Sequence, residues 1–175
     1  VVASYHKELE RIVGASPSIE TKNNSVKGFS MEHTWIELSR QALANNIELF
    51  RRHIGEQKKL LVPVKANAYG HGIAEMVPLL SEAGVDWFGV HSLQEAMQVQ
   101  QTGVEKPILI LGYVPMVHLD QVVEHGFRLV ISSWETLDAF AKVAAAQKKV
   151  VPVHIKVETG TNRQGVCGRD VQILA

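Results

Sequence analysis

Lys65 lies between an apolar run and a glycine-containing segment, a position that favours a reactive side-chain amine. It follows the apolar run 60–64 and precedes a short segment of small residues that contains Tyr69, Gly70 and Gly72. Glycines allow the backbone to approach a ligand closely, and partial burial of an amine disfavours its protonated form. An unprotonated amine can attack a carbonyl carbon. The pattern therefore predicts a reactive lysine, although a lysine after a strand is more commonly a solvated strand end.

A second polar segment, Lys156 to Gly165, follows another apolar run and reads KVETGTNRQG. If both runs are parallel strands, their carboxyl ends lie at the same edge of the sheet, where ligands bind in such folds. Arg163 suits recognition of two oxygen atoms because its guanidinium is a planar fork. The alternative is an ordinary exposed loop arginine.

Both segments resemble motifs of one enzyme family. The string VKANAYGHG at 64–72 resembles the cofactor-lysine motif of alanine racemases, which interconvert L- and D-alanine with pyridoxal 5′-phosphate. The segment 156–165 resembles the family pattern K-x-D-T-G-M-x-R-x-G. In this chain Glu158 replaces the aspartate and Thr161 replaces the methionine. The resemblance extends over 34–168.

The resemblance implies a role for each matching residue. Lys65 would hold pyridoxal 5′-phosphate as a Schiff base and act as the base on one face of the substrate Cα, while Tyr69 would bind the cofactor phosphate. Arg163 would bind the cofactor's phenolic oxygen and the substrate carboxylate, and the backbone amide of Thr161 would help to hold that carboxylate across a dimer interface. Lys156 occupies a position that is a carbamylated lysine in many family members. His71 is expected to be a turn residue bonded to backbone.

Other parts of the family's site have no counterpart in this sequence. The resemblance implies a second acid–base residue, a tyrosine from the partner subunit's carboxyl-terminal domain, and an arginine at the pyridine nitrogen, both beyond Ala175. We therefore expect a homodimeric racemase in the full-length protein and an inactive 175-residue chain. Related barrel racemases accept serine, lysine or arginine, so alanine as the substrate is inherited from the resemblance.

The elements that position these residues follow an alternating pattern. Apolar runs at 60–64, 85–90, 107–111, 127–131 and 150–157 predict strands, and a shorter strand is predicted at 34–38. Helices are predicted between them, with Ser39, Ser92/Glu95 and Ser132/Glu135 as amino-terminal caps. Strands that are apolar on both faces predict a parallel sheet. The periodicity allows a doubly wound sheet or part of a barrel; the resemblance implies a parallel (β/α) TIM-type PLP-binding barrel, present in part with about five strands.

The chain divides in two by composition. Residues 1–31 carry one possible helix, 5–13, and a polar stretch, 16–28, so we predict an N-terminal extension or linker. Residues 32–175 are predicted to form the first part of the barrel domain, cut before the remaining strands and a carboxyl-terminal β domain. The last residues, 169–175, have the pattern of a helix that continues.

Composition narrows the partners. Lys plus Arg and Asp plus Glu are equal at 18 each, so no field of one sign attracts nucleic acid or an anionic membrane. The single cysteine, Cys167, and eight scattered histidines give no metal-ligand spacing. A small-molecule partner, no metal, no membrane and a cytoplasmic location are expected. Two other functions stay open: a non-catalytic PLP-binding homeostasis barrel, and a doubly wound binding module in which Lys65 is structural.

Overall fold

A computed structural model describes residues 36–168. The predicted extension at 1–31 and the helix predicted at 169–175 lie outside the described residues. Part of the predicted strand at 34–38 also does, and its described part, 36–38, is not a strand. Ile36 is 64% exposed, whereas an apolar residue in a strand of this sheet would be expected to lie against the core.

The described residues alternate between strands and helices, as the apolar runs predict. The strands are β1 (Leu61–Pro63), β2 (Trp87–Val90), β3 (Ile108–Ile110), β4 (Arg128–Ile131) and β5 (Val153–Ile155). The helices are α1 (Arg40–Ile54), α2 (Lys65–Tyr69), α3 (Ile73–Glu82), α4 (Leu93–Gln101), α5 (Leu119–Glu124) and α6 (Trp134–Ala146), with a 3₁₀ turn at Met116–His118.

The order of the strands decides between the two architectures that the periodicity allows. All pairs are parallel, and the order across the sheet is β1-β2-β3-β4-β5, so that each strand pairs with the next one along the chain. A doubly wound sheet reverses direction at a switch point. This sheet does not, so it is part of a barrel, and the doubly wound alternative is wrong.

One face of the sheet and the helices enclose the core. Phe88, Ile110 and Leu129 are almost fully buried and share this core with helix residues such as Val77 and Leu80. In strands the side chains alternate between faces, so the opposite face carries the neighbours of these residues. There a Cβ on Gly89 would lie 2.8 Å from Leu61 and 3.1 Å from Leu111. Glycine therefore allows the two leucines to approach each other.

The same opposite face carries a polar cluster near the amino ends of the strands. The Arg128 guanidinium lies 4.2 Å from the centre of the Trp87 ring, in cation–π contact, and His154 meets that ring edge-on at 5.6 Å. Burial, and then the charge of Arg128, lower the pKa of His154 below its ordinary value. The imidazole is therefore held in its neutral form more strongly than a solvated one.

Serine side chains begin three of the helices. Ser39 accepts from Ala42 N and Ser92 forms a capping box with Glu95, as predicted. The cap predicted at Ser132 is wrong by one residue, because Ser133 accepts the hydrogen bond from Thr136 N. Gly84, Gly103 and Gly126, which follow the carboxyl ends of α3, α4 and α5, all have positive φ, the left-handed conformation that commonly ends a helix.

Asp86 ties the amino end of β1 to β2. Its Oδ2 accepts hydrogen bonds from Leu60 N and from Arg51 Nη2, both at 2.7 Å, and Lys59 Nζ lies 3.7 Å from Oδ1. The Leu60 hydrogen bond, then that from Arg51, lower the pKa of Asp86 below its ordinary value. The ionised carboxylate therefore joins α1, the approach to β1 and the start of β2.

Candidate functional site

The parallel strands bring the predicted site residues to one edge of the sheet. Lys65 directly follows Val64, which comes after β1, and Lys156 directly follows β5. Both lie at carboxyl ends, where ligands bind in barrels of this type. β1 and β5 are the outer strands of the described sheet, so the two loops lie on opposite sides of that edge. No hydrogen bond or ion pair within 36–168 joins Lys65 to Lys156 or Arg163.

The turn after Lys65, which forms the rest of the short element α2, is left-handed. Ala66, Asn67, Ala68 and Tyr69 have φ between 52° and 55°, and only asparagine among these residue types visits this region readily. A left-handed conformation costs an L-residue about 1–2 kcal/mol, and strain of this kind is concentrated at functional sites. The turn is therefore energetically unfavourable for its residue types, and it lies directly beside the candidate reactive lysine.

Backbone and side-chain hydrogen bonds hold the turn at its carboxyl end. Ala68 N donates to Val64 O at 2.8 Å, and Gly72 N donates to Asn67 O at 2.9 Å. The side chain of Asn67 accepts from Ile73 N at 2.9 Å, which caps the start of α3. Asn67 thus adopts the left-handed conformation and also closes the turn onto the next helix.

Glu95 holds the turn at its start. Its Oε1 accepts from Ala66 N at 2.7 Å, while Oε2 accepts from His91 N at 2.7 Å and from Ser92 N at 3.3 Å. One carboxylate therefore joins the loop after β1 to the loop after β2. The sequence indicated Glu95 only as a helix cap, and nothing in the motif that contains Lys65 points to this second contact.

The Lys65 side chain is half-buried and forms no hydrogen bond or ion pair within the described part of the chain. Tyr69 is 60% exposed, and its hydroxyl is likewise without a protein partner there. His71 Nδ1 lies 2.9 Å from Ala68 O, which confirms its prediction as a backbone-bonded turn residue. The lysine amine and the tyrosine hydroxyl are therefore both available to a ligand.

A large apolar cleft near this turn is a different feature. It has a volume of about 520 Å³ and lies between α1, β1 and α3, with Phe50, Leu60 and Tyr69 among its lining residues. Lys65 does not line it. Because its walls are mostly apolar and include no lysine or arginine, the cleft does not suit a phosphate.

The loop after β5 is organised by Glu158. Backbone bonds between Lys156, Glu158 and Val166 close its base. The carboxylate accepts from backbone N–H groups within the loop, and these bonds, that from Asn162 first and that from Gly160 next, lower the pKa of Glu158 below its ordinary value. An ionised glutamate at this position therefore shapes the segment that carries Arg163.

Arg163 and Thr161 are exposed, and Lys156 is half-buried. The three side chains form no hydrogen bond or ion pair within 36–168. Gln164, beside Arg163, donates from Nε2 to Leu111 O at 3.3 Å and so fastens the loop to the end of β3. Sequence reasoning missed this contact, because a glutamine in a polar loop carries no signal of its partner.

No group of three or more His, Cys, Asp or Glu side chains in 36–168 is arranged to hold a metal ion. Within the same residues, every helix is too short or too polar to span a bilayer.

Comparisons with known proteins agree on one family. The model of "Alanine racemase, N-terminal domain" matches residues 38–175. Alanine racemase 1 of Oceanobacillus iheyensis is 36% identical over 141 residues, which cover 81% of this chain and 38% of that protein. The alanine racemase of Francisella philomiragia is 38% identical over 136 residues, 78% of this chain and 36% of the relative. The chain thus spans well under half of these relatives.

Solved structures give the same result. The alanine racemase of Oenococcus oeni superposes with a TM-score of 0.70 at 32% identity, over 77% of this chain and 38% of the other. The Bartonella henselae enzyme with covalently bound pyridoxal phosphate gives 0.69 at 28%, over 77% and 38%. A histidine racemase of Leuconostoc mesenteroides gives 0.70 at 28%, over 78% and 36%.

Proposed function

Because the chain belongs to the alanine racemase family, we propose that it is the amino-terminal part of a pyridoxal 5′-phosphate-dependent enzyme that interconverts L- and D-alanine for cell-wall synthesis. Residues 32–175 are proposed as the first part of its barrel. The observation that carries the proposal is the Lys65 amine, without a protein partner in 36–168, on a strained turn at the carboxyl end of β1.

The residues at this edge fit the cofactor. An amine can bond covalently to an aldehyde, and the exposed hydroxyl of Tyr69 can donate a hydrogen bond to a phosphate. When bound, pyridoxal 5′-phosphate withdraws electrons from the substrate Cα. Lys65 then accepts or returns a proton at one face of that carbon. The strained turn fixes the backbone from which the lysine side chain extends.

The loop after β5 is proposed to bind the substrate. Arg163 is a planar donor for the carboxylate and for the cofactor's phenolic oxygen, and the backbone N–H of Thr161 is a second donor. A carbamylated Lys156 would supply an anion beside Arg163. If Lys156 is not carbamylated, this loop carries two cations, Lys156 and Arg163. Glu158 does not compensate for them, because its carboxylate already accepts from backbone N–H groups.

The substrate and assembly are also proposals. Alanine is favoured because the relatives at 36% and 38% identity are alanine racemases. A tyrosine from a partner subunit would serve the opposite face of Cα, so we propose a homodimer and an inactive 175-residue chain. We also propose that the protein is cytoplasmic. A protein that joins this chain to the carboxyl-terminal part of the longer relatives should racemise alanine faster than histidine.

Covalent labelling tests the proposal on the chain itself. The chain is incubated with pyridoxal 5′-phosphate, reduced with borohydride and mapped by mass spectrometry. We expect preferential labelling of Lys65 over Lys142, an exposed lysine paired with Asp138, and loss of that label in Lys65→Arg. Equal labelling of the two lysines would contradict the proposal. Labelling of Lys65 without racemisation by the longer protein would favour the non-catalytic homeostasis barrel.

A further inference from the structure

Glu95 lies one strand away from Lys65, yet its carboxylate reaches the residue that follows the lysine. The 2.7 Å bond to Ala66 N is made at the first left-handed residue of the turn, whose φ is 52°. In a right-handed helix the first N–H groups point away from the helix body and need external acceptors. Here the left-handed turn has the same need, and a side chain from another βα unit meets it.

The carboxylate is fixed on its other side as well. Oε2 accepts from His91 N and Ser92 N, and Glu95 N donates to Ser92 Oγ at 3.2 Å. Glu95 is half-buried and forms no ion pair within 36–168. The position of the carboxylate is therefore set by the start of α4. Its hydrogen bond to Ala66 N then fixes the turn relative to that helix.

We propose that Glu95 is a positioning residue for Lys65: its carboxylate holds the Ala66 amide and thereby keeps the left-handed turn, and the lysine before it, in one orientation. The turn is strained, so its conformation persists only where external bonds select it. This inference rests on the proposed function for its consequence, since the orientation of Lys65 matters because the lysine reacts.

The variants separate this role from helix capping. Glu95→Gln removes the charge and leaves one good acceptor for N–H groups that now use two oxygens. Ser92→Ala is the matched control, because it removes the other half of the same capping box and leaves the carboxylate. Glu95→Asp is the second test variant: it keeps a charged cap but is one methylene shorter on the side of Ala66.

Amide hydrogen exchange decides the inference independently of the cofactor. Loss of a hydrogen bond to a charged group should speed exchange of Ala66 N–H by at least about tenfold in Glu95→Gln. Ser92→Ala should change it by less than about twofold, because Ser92 does not touch the turn. Leu60 N–H, bound by Asp86 at the other end of β1, serves as the internal reference. If Glu95→Gln does not fold, the same acceleration is expected in Glu95→Asp.

Labelling of Lys65 then measures the consequence. Borohydride-trapped labelling by pyridoxal 5′-phosphate should slow by about tenfold in the Glu95 variants and stay near the unmodified rate in Ser92→Ala. Unchanged Ala66 exchange in the folded Glu95 variants overturns the inference, and so does equal slowing of labelling in Ser92→Ala. If the unmodified chain is not labelled at Lys65 while Ala66 exchange responds as expected, the proposed function fails and the hold on the turn stands.

Discussion

The two ends of β1 are tied to the next βα unit by the same chemistry with different results. At the amino end, Asp86 accepts Leu60 N and pairs with Arg51. At the carboxyl end, Glu95 accepts Ala66 N and forms no ion pair within 36–168. The backbone beside Asp86 is an ordinary approach to a strand, whereas that beside Glu95 is a left-handed turn of non-glycine residues.

The difference follows from what each end does in a barrel. The amino end of the strands contributes stability, while the carboxyl end carries the reactive groups. An ion pair adds to folding without demanding an unusual backbone. Holding a strained turn uses folding free energy to fix one side chain in place. A carboxylate's partner, rather than its residue type, therefore separates a stability contact from a positioning contact.

The largest effect on stability should come from Asp86. Asp86→Asn removes the charge from a carboxylate whose side chain is only 24% exposed and takes away the anionic partner of Arg51, which still donates to Lys58 O and Gly84 O. We expect a loss of about 2 kcal/mol in the free energy of unfolding, the usual effect of losing hydrogen bonds to a charged group, measured by urea titration. Labelling of Lys65 in the folded protein should change little. If Asp86→Asn left the free energy of unfolding unchanged and slowed the labelling of Lys65, Asp86 would be the positioning contact and not the stability contact.

Acid should act at the amino end through the same group. The pKa of Asp86 is lower in the folded chain than in the unfolded one, so its contribution is complete above the unfolded value, near pH 4, and is lost as the pH falls through the folded value. The pKa of His154 is also lowered in the folded chain. As the pH falls below about 6.5, His154 is protonated more readily in the unfolded chain, and this destabilises the fold. Stability should therefore decline in two steps. Asp86→Asn should reduce only the lower step, to which Glu158 also contributes because its pKa is lowered too, and a lower step of unchanged size would contradict this assignment.

Much of this arrangement was predictable, and the missing part has a physical reason. Apolar runs predicted the five strands, and Lys65 was predicted at a strand end. The handedness of α2 was not predictable, because Ala66 and Ala68 are strong formers of right-handed helix. Glu95 has the spacing of a cap, and its bond to Ala66 depends on the pairing of β1 with β2, which local sequence does not record. In the described part of the strand predicted at 34–38, residues 36–38 are not a strand, and the apolar pattern there did not show that Ile36 is 64% exposed.

Asn67 should give a smaller effect, at the carboxyl end of the turn. Asn67→Ala removes the acceptor of Ile73 N and places a less tolerant residue at φ 53°. We expect a loss of about 1 kcal/mol in unfolding free energy, the usual cost of a lost helix cap. Asn67→Gly also loses the acceptor but has no penalty at positive φ, so it should be the milder variant. Equal losses in the two variants would show that the turn is not strained at this residue.

The smallest effect should also be the clearest sign of strain, because it reverses direction between two alanines. Ala66→Gly relieves about 1–2 kcal/mol at a left-handed residue, and the added freedom of the unfolded chain offsets about 0.4–1 kcal/mol of that gain. A slight stabilisation is therefore expected. Ala141→Gly, at an exposed position within the right-handed α6, should destabilise by about 1 kcal/mol. Thermal unfolding of the two variants in parallel measures both signs. If both lose stability equally, Ala66 carries no strain, and the carboxyl end of β1 is held no differently from an ordinary helix.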